Sequence, residues 1–488
     1  MTSAAEDTVP TIPILVGGEF RHAHDGATID AVNPATGELI ARFPRCRAQD
    51  IDDAVHAAAD AQPGWRSASP LERAAAVRRL AELIEEHAEE LALLDVAENG
   101  SPIREMRNDA FGAAASLRYF AGLALEVRGE TIPGDFDRLD YTLRQPFGVV
   151  TRIIPFNHPL LFAGGRIAAP LIAGNTVIVK PSEHTSMSAL RLGELAADAL
   201  PAGVLNVVTG YGEEAGDALV VHPGTRRLAF TGSAQMGRSI QQRAATHVVK
   251  TLSLELGGKN PIVVLPDADV DLAVEGALRG MNFTWQGQSC GSTSRLLVHR
   301  DLRQEFVERL GARMEAMRVG LPSLESTDTG AIVHRRQYEK VLDYIRIGRE
   351  EGLKLVTGGE APRDPDLSDG MFVRPTLFDE VGPGSRLAQE EIFGPVLVAM
   401  PFERYEEALE IANGVSYGLT ASVFTRDLQA AHRFARDVEA GFVWINDTSK
   451  HFPGVPFGGF KDSGVGREES FDELLSYTQV KNVNVRFG

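Results

Sequence analysis

The chain has few cysteines, no excess of basic residues and no long apolar run. Only two cysteines, Cys46 and Cys290, occur among 488 residues, which excludes a disulfide framework of the secreted kind. Acidic residues outnumber basic ones, 67 to 49, for a net charge of −18, so nucleic acid is not an expected partner. No stretch reaches the roughly 18–20 apolar residues of a membrane-spanning helix. These absences favour a protein that handles small molecules in a reducing compartment.

The amino terminus lacks the features of a secretory signal. Glu6 and Asp7 stand where a signal peptide carries basic residues, and no apolar segment follows them. We therefore expect residues 1–13 to be a short flexible tail and the protein to be cytoplasmic.

Helical and strand patterns alternate along the chain. A capping box, Ser69-Pro70-Leu71-Glu72, begins a helix whose apolar positions continue to Leu94 and which Asn99-Gly100 ends. From Gly148 onward short apolar strands alternate with helices, and a second alternation runs from Pro261 to about Ile445. Strands buried on both faces and separated by helices are typical of parallel α/β sheets. The pattern predicts two lobes with a site between them.

Cys290 lies in a loop with glycine on both sides, Gly287-Gln288-Ser289-Cys290-Gly291. Glycine allows a substrate to approach the backbone closely, and a thiol there can act as a nucleophile if a base is near or its pKa is lowered. Taken alone, a single cysteine is more often a small buried hydrophobic residue. Cys46, between two arginines, receives that interpretation.

Two other polar residues follow or end apolar strands. Glu255 precedes the double glycine 257–258 and can act as a general base, although on spacing alone a surface carboxylate at a turn is the more frequent case. Asn157, held between two prolines, is a fixed donor of the kind that stabilises an oxyanion. No cluster with metal-ligand spacing accompanies the neighbouring His158, so no metal site is expected.

Two glycine-containing turns compete as a phosphate site. Residues 210–215 follow a strand and fit G-x-G-x-x-A, but Glu213 and Glu214 would oppose a pyrophosphate. Residues 230–237 follow another strand and open a helix with uncharged side chains, which suits an anion. Neither pattern is specific by itself.

Seven short segments form an ordered set across nearly the whole chain. They are PFNHP at Pro155, VKPSE at Val179, FTGS at Phe230, LELGGK at Leu254, FTWQGQSC at Phe283, EEIFGPV at Glu390 and PFGGFKDSGVGRE from Pro456 to Glu468. Together they resemble the signature set of the NAD(P)-dependent aldehyde dehydrogenase superfamily.

The resemblance implies an α/β subunit of three interlocked parts. Two ribbon strands, Tyr141 to Gln145 and Val480 to Phe487, would pair with a neighbouring subunit in a homodimer or homotetramer. The parts expected are a Rossmann-like NAD-binding domain at residues 1–127 and 147–257, a catalytic domain at 258–465, and an oligomerisation ribbon with a C-terminal arm at 128–146 and 466–488.

The resemblance also implies the chemistry. Cys290 would attack an aldehyde to form a thiohemiacetal, with the oxyanion held by the Asn157 amide and the Cys290 backbone N–H. Loss of hydride to the nicotinamide would leave a thioester, and Glu255 would deprotonate the water that releases the carboxylic acid. Glu468 matches a carboxylate that relays protons from Glu255.

For the cofactor, the resemblance implies NAD. Lys180 and Glu183 match the pair at the adenine ribose, and a carboxylate at Glu183 would repel the 2′-phosphate of NADP. The turn at residues 210–215 would lie beside the adenine rather than the phosphates. The expected cofactor contacts are Ile154, Pro155, Phe156, Lys180, Glu183, Gly212, Gly232, Ser233, Leu256, Gly257, Glu391 and Phe393.

Departures from the usual family pattern concern the substrate. Phe156 and His158 replace the Trp and second Phe of the usual P-W-N-F-P loop, and Gly165 stands where broad-specificity members carry bulkier groups. His158, His451 and Lys450 could hydrogen-bond a polar or anionic group, so we expect a polar or substituted aldehyde. The pocket residues implied are His158, Phe162, Gly165, Thr284, Ser289, Lys450, His451 and Phe457.

Two other functions are compatible with parts of the pattern. A CoA-acylating semialdehyde dehydrogenase would pass the acyl group to a thiol, but that branch does not need a water-activating base at Glu255. A catalytically silent structural relative would have lost the thiol or the base, and this chain has both.

Overall fold

The computed structural model describes residues 9–487. Glu6 and Asp7, on which the expectation about the amino terminus depends, lie outside that range. Within it, no helix combines the length and the apolar character that crossing a membrane requires.

Strands and helices alternate as the sequence predicts. Short turns of other helical types occur at Gly212–Gly216, Phe283–Trp285 and Pro365–Leu367. The strands are β1 Ile14–Val16, β2 Glu19–Arg21, β3 Thr28–Val32, β4 Leu39–Pro44, β5 Thr131–Ile132, β6 Arg138–Pro146, β7 Val149–Ile153, β8 Thr176–Lys180, β9 Leu205–Val207, β10 Thr225–Thr231, β11 Thr251–Glu255, β12 Pro261–Val264, β13 Arg295–His299, β14 Lys354–Thr357, β15 Thr376–Asp379, β16 Val396–Phe402, β17 Tyr417–Gly418, β18 Thr420–Phe424, β19 Phe442–Ile445, β20 Phe460–Lys461, β21 Gly464–Val465 and β22 Thr478–Arg486. The α-helices are α1 Ala48–Ser67, α2 Pro70–Glu86, α3 Ala88–Asn99, α4 Ile103–Gly122, α5 Pro159–Gly165, α6 Ala168–Ile172, α7 Met187–Ala197, α8 Asp217–Val221, α9 Ala234–Ala244, α10 Val270–Gly280, α11 Arg300–Glu315, α12 Arg335–Glu350, α13 Arg386–Gln389, α14 Tyr405–Asn413, α15 Leu428–Asp437 and α16 Phe471–Ser476.

The first sheet has the order β2-β1-β9-β8-β7-β10-β11-β21. Its five central strands, β9 to β11 in that order, run parallel. Every residue of β8 is buried, as expected for a parallel strand covered by helices on both faces. Strand β21, Gly464–Val465, lies at the end of the predicted catalytic domain, residues 258–465. It pairs with β11 at the edge of this first sheet.

The second sheet has the order β14-β15-β16-β13-β12-β18-β19. Neighbouring strands within this sheet run parallel to each other, except that β14 is antiparallel to β15. The predicted α/β class with parallel sheets is therefore confirmed.

In open parallel sheets, ligands bind beyond the carboxyl ends of the strands. In the first sheet, strands β7, β8, β10 and β11 each end at a residue or loop of the predicted site.

The predicted single helix from Ser69 to Asn99 is two helices. The capping box is present, with Ser69 N donating to Glu72 Oε2 at 2.7 Å and Glu72 N donating to Ser69 Oγ at 3.2 Å. At His87 the backbone leaves helical geometry, with φ −109° and ψ 17°. The break turns α3 so that it contacts both α4 and α7, a change of direction that apolar periodicity alone does not reveal.

A separate three-stranded ribbon is formed by β22, β6 and β5. Strand β22 pairs with β6 over its whole length, from Thr478 opposite Pro146 to Arg486 opposite Arg138. Apolar side chains on the ribbon and its connections remain exposed, namely Ile132, Phe136, Leu139, Leu143, Val480, Val485 and Phe487.

Candidate active site

Cys290 lies in a loop whose backbone is fixed by Asn260. The Asn260 Nδ2 donates to the carbonyl oxygens of Cys290 at 2.7 Å and Ser292 at 2.9 Å, and its Oδ1 accepts from Thr420 N. The turn before the cysteine includes left-handed backbone at two non-glycine residues, Asn282 and Gln286. Such strained geometry persists only where surrounding contacts enforce it, so the thiol is held in one place.

The double glycine after Glu255 allows two other loops to approach it. A Cβ on Gly258 would lie 2.7 Å from the carbonyl oxygen of Cys290, and one on Gly257 would overlap the carboxylate of Glu391. Only glycine permits these contacts. The loop that carries the predicted base thus packs directly against the loop that carries the predicted nucleophile.

Glu255 ends β11 and is buried. Neither of its carboxylate oxygens has a hydrogen-bond partner among residues 9–487. Burial, and then the negative charge of Glu468, raise the pKa of Glu255 well above its usual value. A buried carboxyl with free oxygens and a raised pKa is suited to general base work near neutral pH.

Burial raises the pKa of the Cys290 thiol to about 12, and the charges of Glu255 and Glu391 add to this effect. The neutral thiol is therefore the resting form at pH 7. Formation of a thiolate requires a proton acceptor close by, and Glu255 is the neighbour whose charge acts most strongly on the thiol.

Glu468 is held between two buried arginines. Its Oε1 accepts from Arg152 Nη1 at 2.9 Å, and its Oε2 lies 3.1 Å from Arg166 Nε. Although burial opposes it, the charges of Arg152 and Arg166 lower the pKa of Glu468. The ionised Glu468 acts on Glu255 by raising its pKa, while a proton-relay role for it stays a prediction.

Asn157 is positioned by Asn99 at the end of α3. The Asn99 Nδ2 donates to the carbonyl oxygens of Phe156 at 2.6 Å and Asn157 at 3.3 Å, fixing the loop between β7 and α5. Asn157 is buried, and no hydrogen bond within the described range uses its side-chain amide. Its amide is therefore free to serve a ligand.

The predicted cofactor contacts come from both sheets. The ring of Phe156, after β7, meets the ring of Phe393 edge-on at 5.7 Å. Phe393 has left-handed backbone, and Gln337 holds it by donating to the carbonyl oxygens of Ile392 and Phe393. Glu391 accepts from Gly258 N at 2.9 Å. Residues that are distant in sequence thus form one edge of a cleft.

The other predicted cofactor contacts lie at strand ends of the first sheet. Lys180 ends β8, is buried, and has its Nζ 3.9 Å from Glu183 Oε2. Ser233 caps α9 by accepting from Met236 N at 3.2 Å, and Gly232 N donates to the backbone of Glu255. The opening of a helix after a strand suits a phosphate. Ile154 and Leu256 are buried beside this edge.

The competing glycine turn has its acidic side chain engaged elsewhere. Arg45 donates to both carboxylate oxygens of Glu214 at 2.7 Å. Gly212 begins the short turn Gly212–Gly216. Glu213, at the same turn, stays exposed and would still oppose a pyrophosphate, which favours the turn at residues 230–237 as the phosphate site.

A cavity of about 360 Å³ has Cys290 in its wall. His158, Phe162, Gly165, Ser289, His451 and Phe457 all line it, as the sequence analysis predicts. There is little room for a larger residue in place of Gly165, because a Cβ at this position would lie 3.3 Å from the Ser116 Cβ.

Two predicted pocket residues lie elsewhere. Thr284 lines a neighbouring cavity with Glu105 and Arg313, on the other side of Trp285. Lys450 is exposed, with its Nζ 3.7 Å from Asp447 Oδ2. The one-turn helix Phe283–Trp285 is the reason for the first difference, because it presents Trp285 rather than Thr284 to His158.

Several site residues are missed by sequence reasoning. Arg166 follows Gly165 directly and binds both Glu468 and Glu469. Asp109, from α4, lies 2.8 Å from His158 Nδ1. The sequence gives little indication of either residue, because a charged side chain on or next to a helix is usually exposed. Only the tertiary fold buries these two.

Comparisons with known proteins agree with this geometry. Residues 20–483 match the model of the aldehyde dehydrogenase family. The chain is 45% identical to the aldehyde dehydrogenase tropH of Talaromyces stipitatus over 94% of this chain and 90% of that protein. It is 42% identical to the hydroxyisobutyraldehyde dehydrogenase of Mycolicibacterium austroafricanum over 99% and 96% of the two chains.

The structure also superimposes on solved relatives. PnpE of Pseudomonas sp. WBC-3 in complex with nicotinamide adenine dinucleotide has a TM-score of 0.96, with 42% identity over 97% of each chain. Family, fold and the arrangement of the site lead to the same result. The chain belongs to the aldehyde dehydrogenase family.

Proposed function

We propose that the protein oxidises a polar or substituted aldehyde to a carboxylic acid, with NAD as oxidant and water as acyl acceptor. The observation that carries the proposal is the pairing of an accessible thiol, Cys290, with a buried carboxyl, Glu255, that has both oxygens free. This pairing supports covalent catalysis followed by hydrolysis.

In the first half of the reaction, Glu255 takes the thiol proton and the Cys290 sulfur bonds to the aldehyde carbon. The carbonyl oxygen becomes an oxyanion, which accepts from the Asn157 amide and the Cys290 backbone N–H. When bound, NAD supplies the acceptor for the hydride that leaves this carbon with its electron pair. The C=O bond forms again, and the acyl group remains on sulfur as a thioester.

In the second half, Glu255 has passed the thiol proton to solvent, so it can remove a proton from a water whose oxygen bonds to the acyl carbon. The C–S bond breaks, the acid leaves, and the sulfur takes back a proton. Burial and the negative charge of Glu468 keep the pKa of Glu255 raised against the opposing charge of Arg166, so the carboxylate can accept the water proton.

The chain's own residues fit NAD. The buried Lys180 has its Nζ bonded only to the Pro181 carbonyl at 3.0 Å within the described range, which leaves donors for ribose hydroxyls. Glu183 beside it places a carboxylate where NADP would bring a phosphate. Ser233 and the start of α9 suit the pyrophosphate, and Glu391 suits the second ribose.

The polar substrate is supported by the cavity wall, in which His158, His451, Asp109, Arg166 and Glu469 interrupt the aromatic side chains. Burying an alkyl chain against this wall would leave the Nε2 atoms of His158 and His451 without a hydrogen-bond partner. Long aliphatic aldehydes are therefore expected to give a low kcat/KM. If long aliphatic aldehydes gave the highest kcat/KM in a panel of aldehydes, the proposed preference for a polar substrate would be refuted.

Hydrolysis is distinguished from acyl transfer to CoA by one assay. Purified protein is given an aldehyde and NAD⁺, and NADH is followed at 340 nm with and without CoA. We expect equal rates and free carboxylic acid as product. Strict dependence on CoA would identify the acylating alternative, and no NADH from any aldehyde would favour a silent relative.

The exposed apolar side chains of the ribbon support association of subunits, because a β-ribbon with this surface is not stable in water on its own. We propose a homodimer or homotetramer. Mass photometry at nanomolar concentration measures this directly, and a monomer of 52.8 kDa would refute it.

A further inference from the structure

Two histidine–carboxylate pairs from different parts of the chain lie in the wall of the cavity that contains Cys290. His158 Nδ1 lies 2.8 Å from Asp109 Oδ2, and His451 Nδ1 lies 3.1 Å from Glu469 Oε2. Both rings line the cavity that contains Cys290. Within residues 9–487 neither Nε2 atom has a hydrogen-bond partner, so both are available to a substrate.

The carboxylates decide which way each ring is protonated. An ionised carboxylate only accepts hydrogen bonds, so the proton of each neutral imidazole is on Nδ1. Nε2 then carries a lone pair and accepts. The cavity therefore offers two hydrogen-bond acceptors to a substrate that carries a donor.

Aromatic contacts restrict both rings. His158 packs against Phe162 at 5.5 Å and Trp285 at 5.2 Å between ring centroids. His451 packs against Phe457 at 4.7 Å. Fixed acceptors lose little entropy when they bind, which makes them effective for discrimination.

The charges around the cavity oppose an anionic substrate. Asp109 and Glu469 place a carboxylate behind each ring. Arg166 is the one lysine or arginine among the described lining residues, and its guanidinium is engaged by Glu468 at 3.1 Å and Glu469 at 2.8 Å. An added carboxylate would meet two like charges and no uncommitted cation.

We infer that the substrate carries a hydroxyl group on the end remote from the aldehyde, and that Nε2 of His158 accepts its hydrogen bond. This inference rests on the proposed aldehyde oxidation and narrows its substrate class to hydroxyaldehydes. The two carboxylates that oppose an anion would attract a cation, so a cationic compound is the competing substrate class that the test must include. His158 is the deeper of the two, with 14% of its side chain exposed against 39% for His451.

The test compares benzaldehydes that differ only at the meta position, where the substituent has little electronic effect on the carbonyl. The set is 3-hydroxy-, 3-methyl- and 3-(dimethylaminomethyl)benzaldehyde with 3-formylbenzoate, assayed with NAD⁺ at pH 7 so that the phenol stays protonated. We expect kcat/KM for the hydroxyl compound to exceed that of the methyl compound about 3- to 10-fold, the range for one neutral hydrogen bond. The formylbenzoate should be the slowest.

The variant His158→Phe removes the acceptor and keeps an aromatic ring. It should bring the ratio of kcat/KM for the hydroxyl compound to kcat/KM for the methyl compound close to one. Asp109→Asn, which leaves the ring in place but no longer fixes its proton, should reduce the ratio partly. His432→Phe, on the exposed face of α15, is the matched control and should leave the ratio unchanged.

The outcomes separate the inference from the proposed function. No NADH from any member of the set would refute the proposed oxidation itself. Equal rates for the hydroxyl and methyl compounds in the unaltered enzyme would refute only the hydroxyl site, as would the highest rate for the formylbenzoate or for the cationic compound. These results need no variant, so a misfolded His158→Phe protein would not rescue the inference.

Discussion

The surroundings of Cys46 and Cys290 differ far more than the thiols themselves. Cys46 is fully buried, and burial together with the charge of Asp50 raises its pKa to about 12. Burial together with the charge of Glu255 raises the pKa of Cys290 to the same value. Both thiols are neutral at pH 7, so acidity alone does not distinguish a nucleophile from a core residue.

The carboxylates beside them make the difference. Asp50 accepts from the backbone N–H groups of His24 and Arg47, both at 2.9 Å, and so serves as a helix cap. Glu255 has no such partner on either oxygen, and Cys290 opens onto a cavity. Reactivity in this protein therefore depends on a base that is left uncommitted and on access to substrate.

The largest expected effect separates the two thiols directly. Cys290→Ala should lower kcat at least about 10⁴-fold, because Cys290 is the one thiol among the described residues that line the cavity. Cys46→Ala should keep kcat within about twofold of the original enzyme. NADH formation with a reactive benzaldehyde measures both, and substantial activity in Cys290→Ala would mean that the nucleophile is another residue.

The two carboxylates should separate next. Glu255→Gln should lower the steady-state rate about 10²- to 10⁴-fold, as for loss of a general base. Asp50→Asn should leave kcat unchanged and cost about 1 kcal/mol of stability through a weakened helix cap. Steady-state kinetics and thermal unfolding test the pair, and a catalytic defect in Asp50→Asn would undo the distinction drawn here.

Alkylation should report both the access and the pKa of each thiol. In the enzyme without NAD, the rate of Cys290 alkylation by iodoacetamide should rise about tenfold per pH unit from pH 7 to 9, because thiolate is the reacting form and its pKa lies above this range. Cys46 should react only after denaturation. Peptide mass spectrometry follows each site, and a rate for Cys290 independent of pH would show that the thiolate already exists.

The smallest effect expected is on stability. Cys46→Ala removes a buried sulfur from the core packed against the first sheet. It should lower the free energy of unfolding by about 1 kcal/mol. In a chain of this size that corresponds to a fall in Tm of about 1–3 °C. Cys290→Ala, at a cavity wall, should change Tm less. Thermal scans at one heating rate compare them, and the reverse order would mean that Cys290 has a packing role.

Much of the fold and the site could be predicted from the sequence, and the exceptions have local causes. The alternation of strands and helices and the segments around Cys290, Glu255 and Asn157 depend on short patterns that a reader of the chain can see. The break at His87 depends on where α3 must pack, and the placement of Trp285 instead of Thr284 depends on one tight turn. Neither cause is visible in apolar spacing.

The sequence by itself determined the family and the α/β class, and it identified Cys290, Glu255 and Asn157 as candidates for the thiol, base and amide, because those residues occur in short segments of fixed order. Only the tertiary structure decided which charges face them. Asp109 and Glu469 lie beside Nδ1 of His158 and His451, and Arg152 and Arg166 hold the ionised Glu468 that acts on Glu255, from positions up to several hundred residues away. Electrostatic interactions depend on distance in space and on burial, and neither is encoded in local spacing.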